Sequence, residues 1–522
     1  MSEQKTNKID SFWKITASKS TIRTEIIAGI VTFLAMCYIL TVNPNQIFYD
    51  STRDPRWSSL FIATAFGAII GTLLMAFLAK MPLAQASGMG LNSLVGSIIG
   101  GGIGSYAYVF EFTIGQAFLM VLISGIIFLI LSLIKIKGKA VREIIFDGMP
   151  VSVRSAISVG IGLFIAYIGF QNAGIIVTNN FTQVSLIDFS NWGDQIINNG
   201  SKTPITGTAH AAIVCLFGLF VITILDKLKV KGSIIFGIFG ATILGIFLGV
   251  TDYKVILGNE NGISWKFWEN FANYFTSDDS VFLSFTDAFK NPFPAGSTFT
   301  VIMLVITMCM IDMFDTMGTI VGCCGGNPIL SDENNKPHNY GKIMMSDAIG
   351  TVAGAICGTS TVTTFVESGS GVAAGGRTGL TAFVTAIMFF LAIFLLPVFA
   401  MIPSAAAASA LIYVGVLMMK NNVKNVDFST PIKATSAFLT IIIMCLAYSI
   451  TKGIGIGILS YTIMTLITYV VEIIVYAFKK NKTYINEAGE EVKYEKPVLD
   501  LSVVAIIVSI LFAIYFFVPT VL

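Results

Sequence analysis

Thr361-Val-Thr-Thr-Phe-Val-Glu-Ser-Gly-Ser-Gly-Val-Ala-Ala-Gly-Gly-Arg377 is the most informative segment for the architecture of this chain. Its β-branched first residues favour an extended backbone, whereas the glycines that follow allow no more than a short helix. Between apolar runs, such irregular backbone is tolerated only where it lines a cavity or is covered by protein. Glu367 lies at the break, and a carboxylate at membrane depth marks a polar path through lipid. The stretch therefore predicts an interrupted membrane-spanning segment beside a site for a polar solute.

The composition of the whole chain agrees with a membrane environment. Of its 522 residues, 55% are hydrophobic and only 12% are charged, and the mean hydropathy is +0.80. A soluble protein is usually about a quarter charged, so we predict a polytopic membrane protein. The net charge is only +2, and the basic residues are spread over many short loops, so the sequence gives no indication of nucleic-acid binding. The seven cysteines and two histidines lack metal-ligand spacing, so neither a metal site nor a cofactor is predicted.

Fifteen apolar segments follow along the chain, and the first is preceded by basic residues. If the N-terminus is cytoplasmic and the segments alternate, lysine and arginine concentrate on the inner side, as the positive-inside rule requires. Three segments are weaker because they are rich in glycine, serine and threonine, namely 83–103, 344–360 and 361–376. The other twelve are long enough to cross the hydrocarbon core: 24–44, 59–79, 113–134, 151–173, 209–225, 232–250, 298–322, 379–398, 403–420, 434–450, 452–476 and 501–519.

A weak internal echo relates the two halves of the chain. Ser87-Gly-Met-Gly90 in the third segment recurs as Ser368-Gly-Ser-Gly371 in the tenth, and Pro150 opens the fifth segment as Pro403 opens the twelfth. Seven segments separate each pair, and an odd number inverts the second copy, as in inverted-topology repeats. The predicted organisation is a cytoplasmic segment 1–23, a first seven-segment repeat 24–250, an outer aromatic-rich loop 251–297, a second repeat 298–476, and a polar linker with a C-terminal apolar segment 477–522.

The outer loop admits two interpretations. Its aromatic residues suit an amphipathic segment at the outer headgroup belt, which we favour. The alternative is a lid or an interface for another subunit.

Carboxylates in the eighth segment form a second polar feature. On a helix, Asp315, Gly318, Thr319 and Gly322 share one stripe, and Asp312 joins the same side. We favour a functional role for Asp315. For Asp312 and Thr319, a helix-packing hydrogen bond and a role in the site are equally open. No nucleophile–base pair is visible in the sequence, so an enzyme is the least favoured class.

Glu367 and Asn92 are the candidates on the two interrupted segments. A carboxylate at the break could accept two N–H bonds from a planar solute while nearby amides bind its carbonyl. The alternative for Glu367 is a simple cap of the short helix. Asn92 lies in the glycine-broken run Gln85-Ala-Ser-Gly-Met-Gly-Leu-Asn-Ser93 and would supply both a donor and an acceptor from the facing side.

At these motifs the chain resembles the nucleobase:cation symporters (nucleobase/ascorbate transporter-like), specifically the AzgA-like branch of hypoxanthine, guanine and adenine permeases. The blocks that carry the resemblance are Thr24-Glu-Ile-Ile-Ala-Gly-Ile-Val-Thr-Phe-Leu-Ala-Met-Cys-Tyr-Ile-Leu-Thr-Val-Asn-Pro44, Gly88-Met-Gly-Leu-Asn92, Asp312-Met-Phe-Asp-Thr-Met-Gly-Thr319 and Glu367-Ser-Gly-Ser-Gly-Val-Ala-Ala-Gly-Gly-Arg-Thr-Gly-Leu380.

The resemblance implies an all-α fold of about fourteen spans in two inverted seven-segment repeats, with core and gate domains and short strands in segments 3 and 10. Glu367 would be the main purine ligand, Asn92 the third-segment contact, and Asp315 the second carboxylate, coupled to substrate and proton together with Asp312. The remaining substrate-site residues expected in these motifs are Phe365, Ser368, Gly88 and Thr319. Elevator-like movement of the core against a dimeric gate is also implied.

Two positions depart from the family pattern. The family usually has Ala-Pro-Gly where this chain has Ala86-Ser87-Gly88, and Ser93 stands where alanine is common. Both positions lie beside the expected pocket, so they bear on purine preference.

The sequence thus predicts a multi-pass transporter of the cytoplasmic membrane with a cytoplasmic N-terminus. Its expected role is the import of hypoxanthine, guanine or adenine by proton symport, without a cofactor and as a homodimer in the lipid bilayer. Two alternatives stay open: a transporter of the same fold for uracil, xanthine or an anion, and a non-transporting nucleobase sensor.

Overall fold

The chain is mostly helical in its computed structural model. The residues that the structure describes are 8–48, 56–99, 112–136, 139–141, 144, 148–179, 183–189, 196–198, 201–203, 209–230, 232–254, 264–290, 293–324, 327–331, 337–479, 483–485, 491–493 and 496–517. Predictions that fall on other residues, including the end of the third segment and parts of both outer loops, lie outside this description.

The described helices of the first half are α1 Lys8–Trp13, α2 Ile22–Met36, α3 Ile39–Phe48, α4 Trp57–Leu74 with a π-helical continuation Met75–Ala79, α5 Met89–Ile98, α6 Ile114–Leu133, α7 Val151–Asn172, α8 Ala209–Lys227 and α9 Ser233–Phe247. Those of the second half are α10 Phe267–Thr276, α11 Val281–Asp287, α12 Thr298–Cys324, α13 Tyr340–Cys357, α14 Ser368–Ala373, α15 Gly379–Ile393, α16 Leu396–Ala400, α17 Ser404–Asn422, α18 Pro431–Leu446, α19 Ile450–Lys479 and α20 Val503–Phe517, with a 3-10 turn at Val423–Asn425.

Short strands complete the described elements: β1 Gln85–Ser87, β2 Lys135–Ile136, β3 Lys139–Ala140, β4 Ile176–Asn179, β5 Gln183–Leu186, β6 Ile196–Asn198, β7 Ser201–Thr203, β8 Val362–Thr364, β9 Thr483–Ile485 and β10 Glu491–Lys493. All pair antiparallel in twos. Four of the pairs join neighbouring strands, whereas β1 pairs with β8 from the other half of the chain.

Eight of the described helices are long and apolar enough to cross a membrane. Shorter apolar helices fill the remaining predicted segments, including α9, α15, α18 and part of α20. The third and tenth segments are each a buried strand followed by a short helix, β1 with α5 and β8 with α14. Every predicted apolar segment therefore corresponds to a helix or to a strand–helix pair, which confirms the polytopic fold with short strands in segments 3 and 10.

The crossing of β1 and β8 lies at the centre of this arrangement. Gln85 pairs with Thr364, Ala86 with Thr363 and Ser87 with Val362, and all six residues are buried. At the ends of the pair, the Gly88 amide donates to Thr361 O at 2.9 Å and the Phe365 amide to Ala84 O at 3.0 Å. Each interrupted segment thus satisfies the backbone of the other, which allows extended chain at membrane depth.

The helices pack as two groups. In the core domain α2, α4, α6, α13, α14 and α15 surround the strand crossing, and in the gate domain α7, α8, α9, α17, α18 and α19 pack on one another. Glycines permit the close approach inside the gate. A Cβ added at Gly415 on α17 would lie 2.4 Å from Gly162 O on α7. Such contacts between small residues are typical of helix pairs in membranes. The repeat boundaries 24–250 and 298–476 stay predictions.

The described part of the outer loop 251–297 packs on the outer end of the core domain. The Tyr274 hydroxyl donates to Cys357 O at 2.6 Å, and the Val281 amide donates to Ser59 Oγ at 3.0 Å. Its other side carries exposed aromatic residues: Trp265, Phe267, Trp268, Phe271, Phe275 and Phe289. One buried and one exposed aromatic side suit a segment at the outer headgroup belt.

The C-terminal helix α20 lies beside α19, where Thr462 Oγ1 and Ser509 Oγ are 2.7 Å apart.

Glu25 connects three elements of the core domain. This fully buried carboxylate on α2 accepts from the Arg377 amide at 3.0 Å, from the Thr378 amide at 3.2 Å and hydroxyl at 2.9 Å, and from the Thr381 hydroxyl at 2.6 Å. It therefore caps the start of α15. Arg377 in turn donates to Val372 O at 2.6 Å, at the end of α14. The half-helix that begins after Glu367 is thus held at its C-terminal end.

Replacing Glu25 with Gln should lower the stability of the core domain. The amide group of Gln cannot accept from all of these donors, and each buried donor left unpaired costs about 1–3 kcal/mol. We expect the midpoint of thermal unfolding, measured on the purified protein in detergent, to fall by several degrees. Asp427→Asn is the matched control, because its pair with Lys433 at 2.8 Å is partly exposed and such pairs contribute little. Equal midpoints for the two variants would contradict the role given to Glu25.

Candidate functional site

Glu367 occupies the break between β8 and α14. The chain turns there because the β-branched strand residues end and glycines begin, and Glu367 takes the position just before the first helical residue, Ser368. Its side chain is only 4% exposed. Oε1 accepts a hydrogen bond of 2.5 Å from the Tyr38 hydroxyl, whereas Oε2 has no hydrogen-bond partner among the described residues. A buried carboxylate oxygen without a donor is costly, so Oε2 is the atom best placed to accept from a ligand.

Tyr38 is a site residue that the sequence analysis missed. It lies between α2 and α3, where the first spanning segment is interrupted, and it is 1% exposed. Its hydroxyl also lies 3.6 Å from Met89 Sδ at the start of α5. Tyr38 could have been predicted from its position in the otherwise apolar stretch before Pro44. A buried tyrosine hydroxyl needs a hydrogen-bond partner, which indicates a polar group nearby.

Asn92 lies on α5, one turn after the strand crossing, and is fully buried. Its Oδ1 accepts from the Ser360 hydroxyl, and its Nδ2 has no partner among the described residues. Thr361 Oγ1, at the start of β8, is likewise unpaired there. The third segment thus supplies an unused donor, while the tenth supplies the unused acceptor of Glu367. The assignment of both residues to the substrate site stays a prediction.

Asp315 on α12 differs from the other carboxylates because it is half-buried. It lies within electrostatic range of Glu367. A carboxylate that keeps access to solvent can exchange a proton more readily than a sealed one. The role of Asp315 in substrate and proton coupling stays a prediction.

Asp312 on the same helix makes a hydrogen bond to a neighbouring helix. It is 1% exposed, and its Oδ2 accepts from Thr351 Oγ1 on α13 at 2.8 Å, while Oδ1 has no partner among the described residues. The bond joins α12 to α13, so the helix-packing alternative describes one of its two oxygens. Its assignment to proton coupling stays a prediction.

Asp347 is a second buried carboxylate that sequence reasoning did not single out. It lies on α13 and within electrostatic range of Asp312. Gln85 Nε2 donates to its Oδ1 at 2.8 Å, Thr364 Oγ1 donates to the same oxygen at 3.1 Å, and Thr316 Oγ1 donates to Oδ2 at 2.7 Å. Asp347 therefore joins α12 and α13 to both strands of the crossing. Asp347 could have been predicted from the sequence, because it is the single acidic residue of the weak apolar segment 344–360.

The remaining predicted residues shape the crossing. Ser368 Oγ accepts from the Ala84 amide at 3.0 Å, and Phe365 is buried just after β8. At Gly88, an added Cβ would lie 2.7 Å from Thr363 Cγ2, so only glycine fits there. Thr319 is buried on α12. Direct contact of these four residues with a substrate stays a prediction. Among the described residues, no group of three or more histidine, cysteine and acidic side chains could hold a metal.

The family model Xan_ur_permease, described as a permease family, matches residues 23–456. The chain belongs to this permease family. Known as the nucleobase/ascorbate transporter family, it is the one that the sequence motifs resemble.

Several relatives of the permease are named for purine bases. It is 32% identical to adenine permease AdeQ of Escherichia coli over 88% of this chain and 91% of that protein. It is 33% identical to guanine/hypoxanthine permease PbuO of Bacillus subtilis over 85% of this chain and 92% of that protein. The nucleobase transporter PlAzg2 of Paenibacillus larvae is 28% identical over 84% of this chain and 77% of its own length.

Solved structures support the fold of the permease. The transmembrane domain of the cyanobacterial bicarbonate transporter BicA superposes with a TM-score of 0.53 at 14% identity, covering 82% of this chain and 97% of that domain. The murine anion transporter Slc26a9 in its inward-facing state gives 0.52 at 11% identity, covering 90% and 73%. At such identities the similarity concerns the fold alone.

The departure at Ser87 has a structural counterpart in the permease. Ser87 Oγ accepts from Asn43 Nδ2 at 3.2 Å and lies 2.8 Å from Thr359 Oγ1. Asn43 Nδ2 also lies 2.9 Å from Thr359 Oγ1. A proline at position 87 could not make these contacts, since it has no hydroxyl. The serine therefore links β1 to the first segment and to the loop before β8.

Proposed function

We propose that the permease imports purine nucleobases across the cytoplasmic membrane by proton symport, with the core domain moving against the gate. The proposal is supported by an unused acceptor at Glu367 Oε2 and an unused donor at Asn92 Nδ2, both buried, on the two half-helices whose strands pair at the crossing. A purine offers an N–H donor and ring or carbonyl acceptors along one planar edge, which such a pair can bind. The names of AdeQ and PbuO support the choice of a purine.

The proposed coupling uses Asp315. A proton taken up from outside neutralises one of two neighbouring carboxylates, and the loaded core then moves inward and releases base and proton. Coupling requires that protonation change the affinity for the base or the energy of the loaded core. The cycle is proposed for a multi-pass protein with a cytoplasmic N-terminus that forms a homodimer through its gate domains.

Uptake of radiolabelled hypoxanthine into proteoliposomes tests the proposal directly. We expect concentrative uptake only with an inward proton gradient, and inhibition by unlabelled guanine or adenine. Inhibition by uracil or xanthine alone would favour a transporter for those bases. Binding without any flux would favour a nucleobase sensor. Absence of both binding and uptake for every purine would contradict the substrate class.

Asp315→Asn should separate binding from coupling. The amide keeps the shape of the side chain but cannot exchange a proton, so we expect hypoxanthine binding to change less than about tenfold, while gradient-driven accumulation is lost. Exchange of base across the membrane without a gradient should persist. Accumulation at the wild-type level would rule out Asp315 as the coupled group, whereas loss of binding would make it a substrate ligand instead.

A further inference from the structure

We propose that Tyr38 is a specificity-determining residue of the purine site, because its hydroxyl already bonds one oxygen of Glu367 and leaves the other as the oxygen of that carboxylate without a donor among the described residues. This inference rests on the proposed function, since it concerns the same site. Tyr38 is not among the residues that the sequence motifs predict for the substrate site.

The Tyr38 hydroxyl donates its hydrogen bond to Glu367 and not to Met89. A tyrosine hydroxyl has one hydrogen, and two acceptors lie near it: Glu367 Oε1 at 2.5 Å and Met89 Sδ at 3.6 Å. Thioether sulfur is a weak acceptor, whereas a bond to a carboxylate is charge-assisted and stronger. The hydrogen therefore points to Oε1. Both side chains are buried, so water does not compete for that oxygen.

Tyr38 and Glu367 are held together by the packing of their two segments. Tyr38 belongs to the first spanning segment and Glu367 to the tenth, and the two segments are packed tightly below the pair. A Cβ added at Gly371 of α14 would lie 2.0 Å from Thr32 Oγ1 of α2. Glu25 on α2 also accepts from the Arg377 amide. Because α2 is fixed against α14 at two levels, the Tyr38 hydroxyl sets the orientation of the carboxylate and directs Oε2 toward the solute.

Hypoxanthine and guanine differ in the number of N–H donors that they present to a carboxylate. Hypoxanthine presents one N–H on its six-membered ring, at N1. Guanine presents N1–H and the neighbouring exocyclic amine side by side, a pair of donors that matches both oxygens of a free carboxylate. The Tyr38 hydroxyl takes up one lone pair of Oε1, so the paired donors of guanine meet one oxygen that is already bonded and one, Oε2, that is not. Tyr38 thus removes the advantage that a bare carboxylate would give to bases with paired donors.

Tyr38→Phe tests this directly, since it removes only the hydroxyl. We would measure equilibrium binding of radiolabelled hypoxanthine and guanine to the full-length permease in lipid nanodiscs. We expect guanine to gain on hypoxanthine by about tenfold or more, the effect of one added charge-assisted hydrogen bond. Tyr274→Phe is the matched control, because it removes a buried tyrosine hydroxyl bond to Cys357 O on the outer segment. An unchanged ratio of the two dissociation constants in Tyr38→Phe overturns the inference. If the wild-type protein binds no purine, the proposed function fails instead.

A rescue experiment gives a second, independent readout. In Glu367→Gln, Tyr38 should hold the amide oxygen and turn the amide NH₂ toward the base, where an acceptor is needed. Removing the hydroxyl as well, in Tyr38→Phe/Glu367→Gln, lets the amide turn, and hypoxanthine affinity should recover at least about tenfold relative to Glu367→Gln alone. A purely structural role for Tyr38 would make the double variant weaker than the single one, and that result contradicts the proposal.

The Glu367→Gln variant also serves if the tyrosine variants do not fold. With Tyr38 in place, its NH₂ faces the base, and adenine carries an acceptor at N1 where hypoxanthine carries an N–H. Adenine should therefore lose less affinity than hypoxanthine, by about tenfold. Equal losses for both bases would overturn the inference without any change at Tyr38.

Discussion

Replacing Glu367 with Gln should lower hypoxanthine affinity at least about a hundredfold and abolish its concentrative uptake. The change keeps the size of the side chain but replaces the unpaired oxygen Oε2, which is buried, by a group that donates. A ligand N–H then loses a charge-assisted bond of about 1.5–3 kcal/mol and faces a second donor in a buried site. Equilibrium binding in nanodiscs and uptake into proteoliposomes measure the two effects.

The control for this prediction is the same substitution at Glu269. That residue lies on the outer helix α10 in an exposed pair with Lys266 at 2.9 Å, and exposed pairs contribute little to stability. Glu269→Gln should therefore bind and transport as the wild-type protein does. If Glu367→Gln kept wild-type affinity, the carboxylate of Glu367 would not be a ligand of the base.

The second large effect is expected at Gly371, where the half-helix meets the first spanning segment. An added Cβ would lie 2.0 Å from Thr32 Oγ1 and 3.0 Å from Ala28 O, and the Thr32 hydroxyl is already bonded to Ala28 O at 3.0 Å. Neither neighbour can give way, so Gly371→Ala should push α14 from α2 and separate Glu367 from Tyr38. We expect loss of purine uptake and a destabilisation of at least about 1–3 kcal/mol from overpacking.

Gly369→Ala on the same half-helix is the matched control. Its added Cβ would meet only Cys323 Sγ at 3.7 Å, an ordinary contact, and alanine favours a helix over glycine by about 1 kcal/mol. Thermal unfolding should place Gly369→Ala at or slightly above the wild-type midpoint and Gly371→Ala several degrees below it. Similar midpoints for the two variants would show that the α2–α14 contact is not as close as the structure has it.

Part of the site follows from single residues in the sequence. Glu367 and Asn92 could be located because a carboxylate and an amide inside glycine-broken apolar runs are costly unless they are used. Asp315 could be located because its neighbours on one helix face are small or polar. In each case the signal is local and lies within a few residues of the side chain.

Tyr38, Asp347 and Glu25 could not be located in this way. Each acts through a partner far along the chain: Tyr38 through Glu367, Asp347 through Gln85 and Glu25 through Thr378. A phenol in an apolar run is ordinary by itself, and a glutamate at the start of a spanning helix looks like a residue at the membrane surface. Their roles depend on which helices become neighbours.

The sequence by itself determined that the chain spans the membrane many times, that its third and tenth segments are interrupted, and that carboxylates lie at membrane depth. These properties follow from hydropathy and local backbone preference, which act over a few residues. Only the tertiary structure decided which oxygen of Glu367 is free, since Tyr38 Oη occupies Oε1 from another segment. Hydrogen bonds are short and directional, so their partners are settled only when β1 and β8 pair and α2 packs against α14.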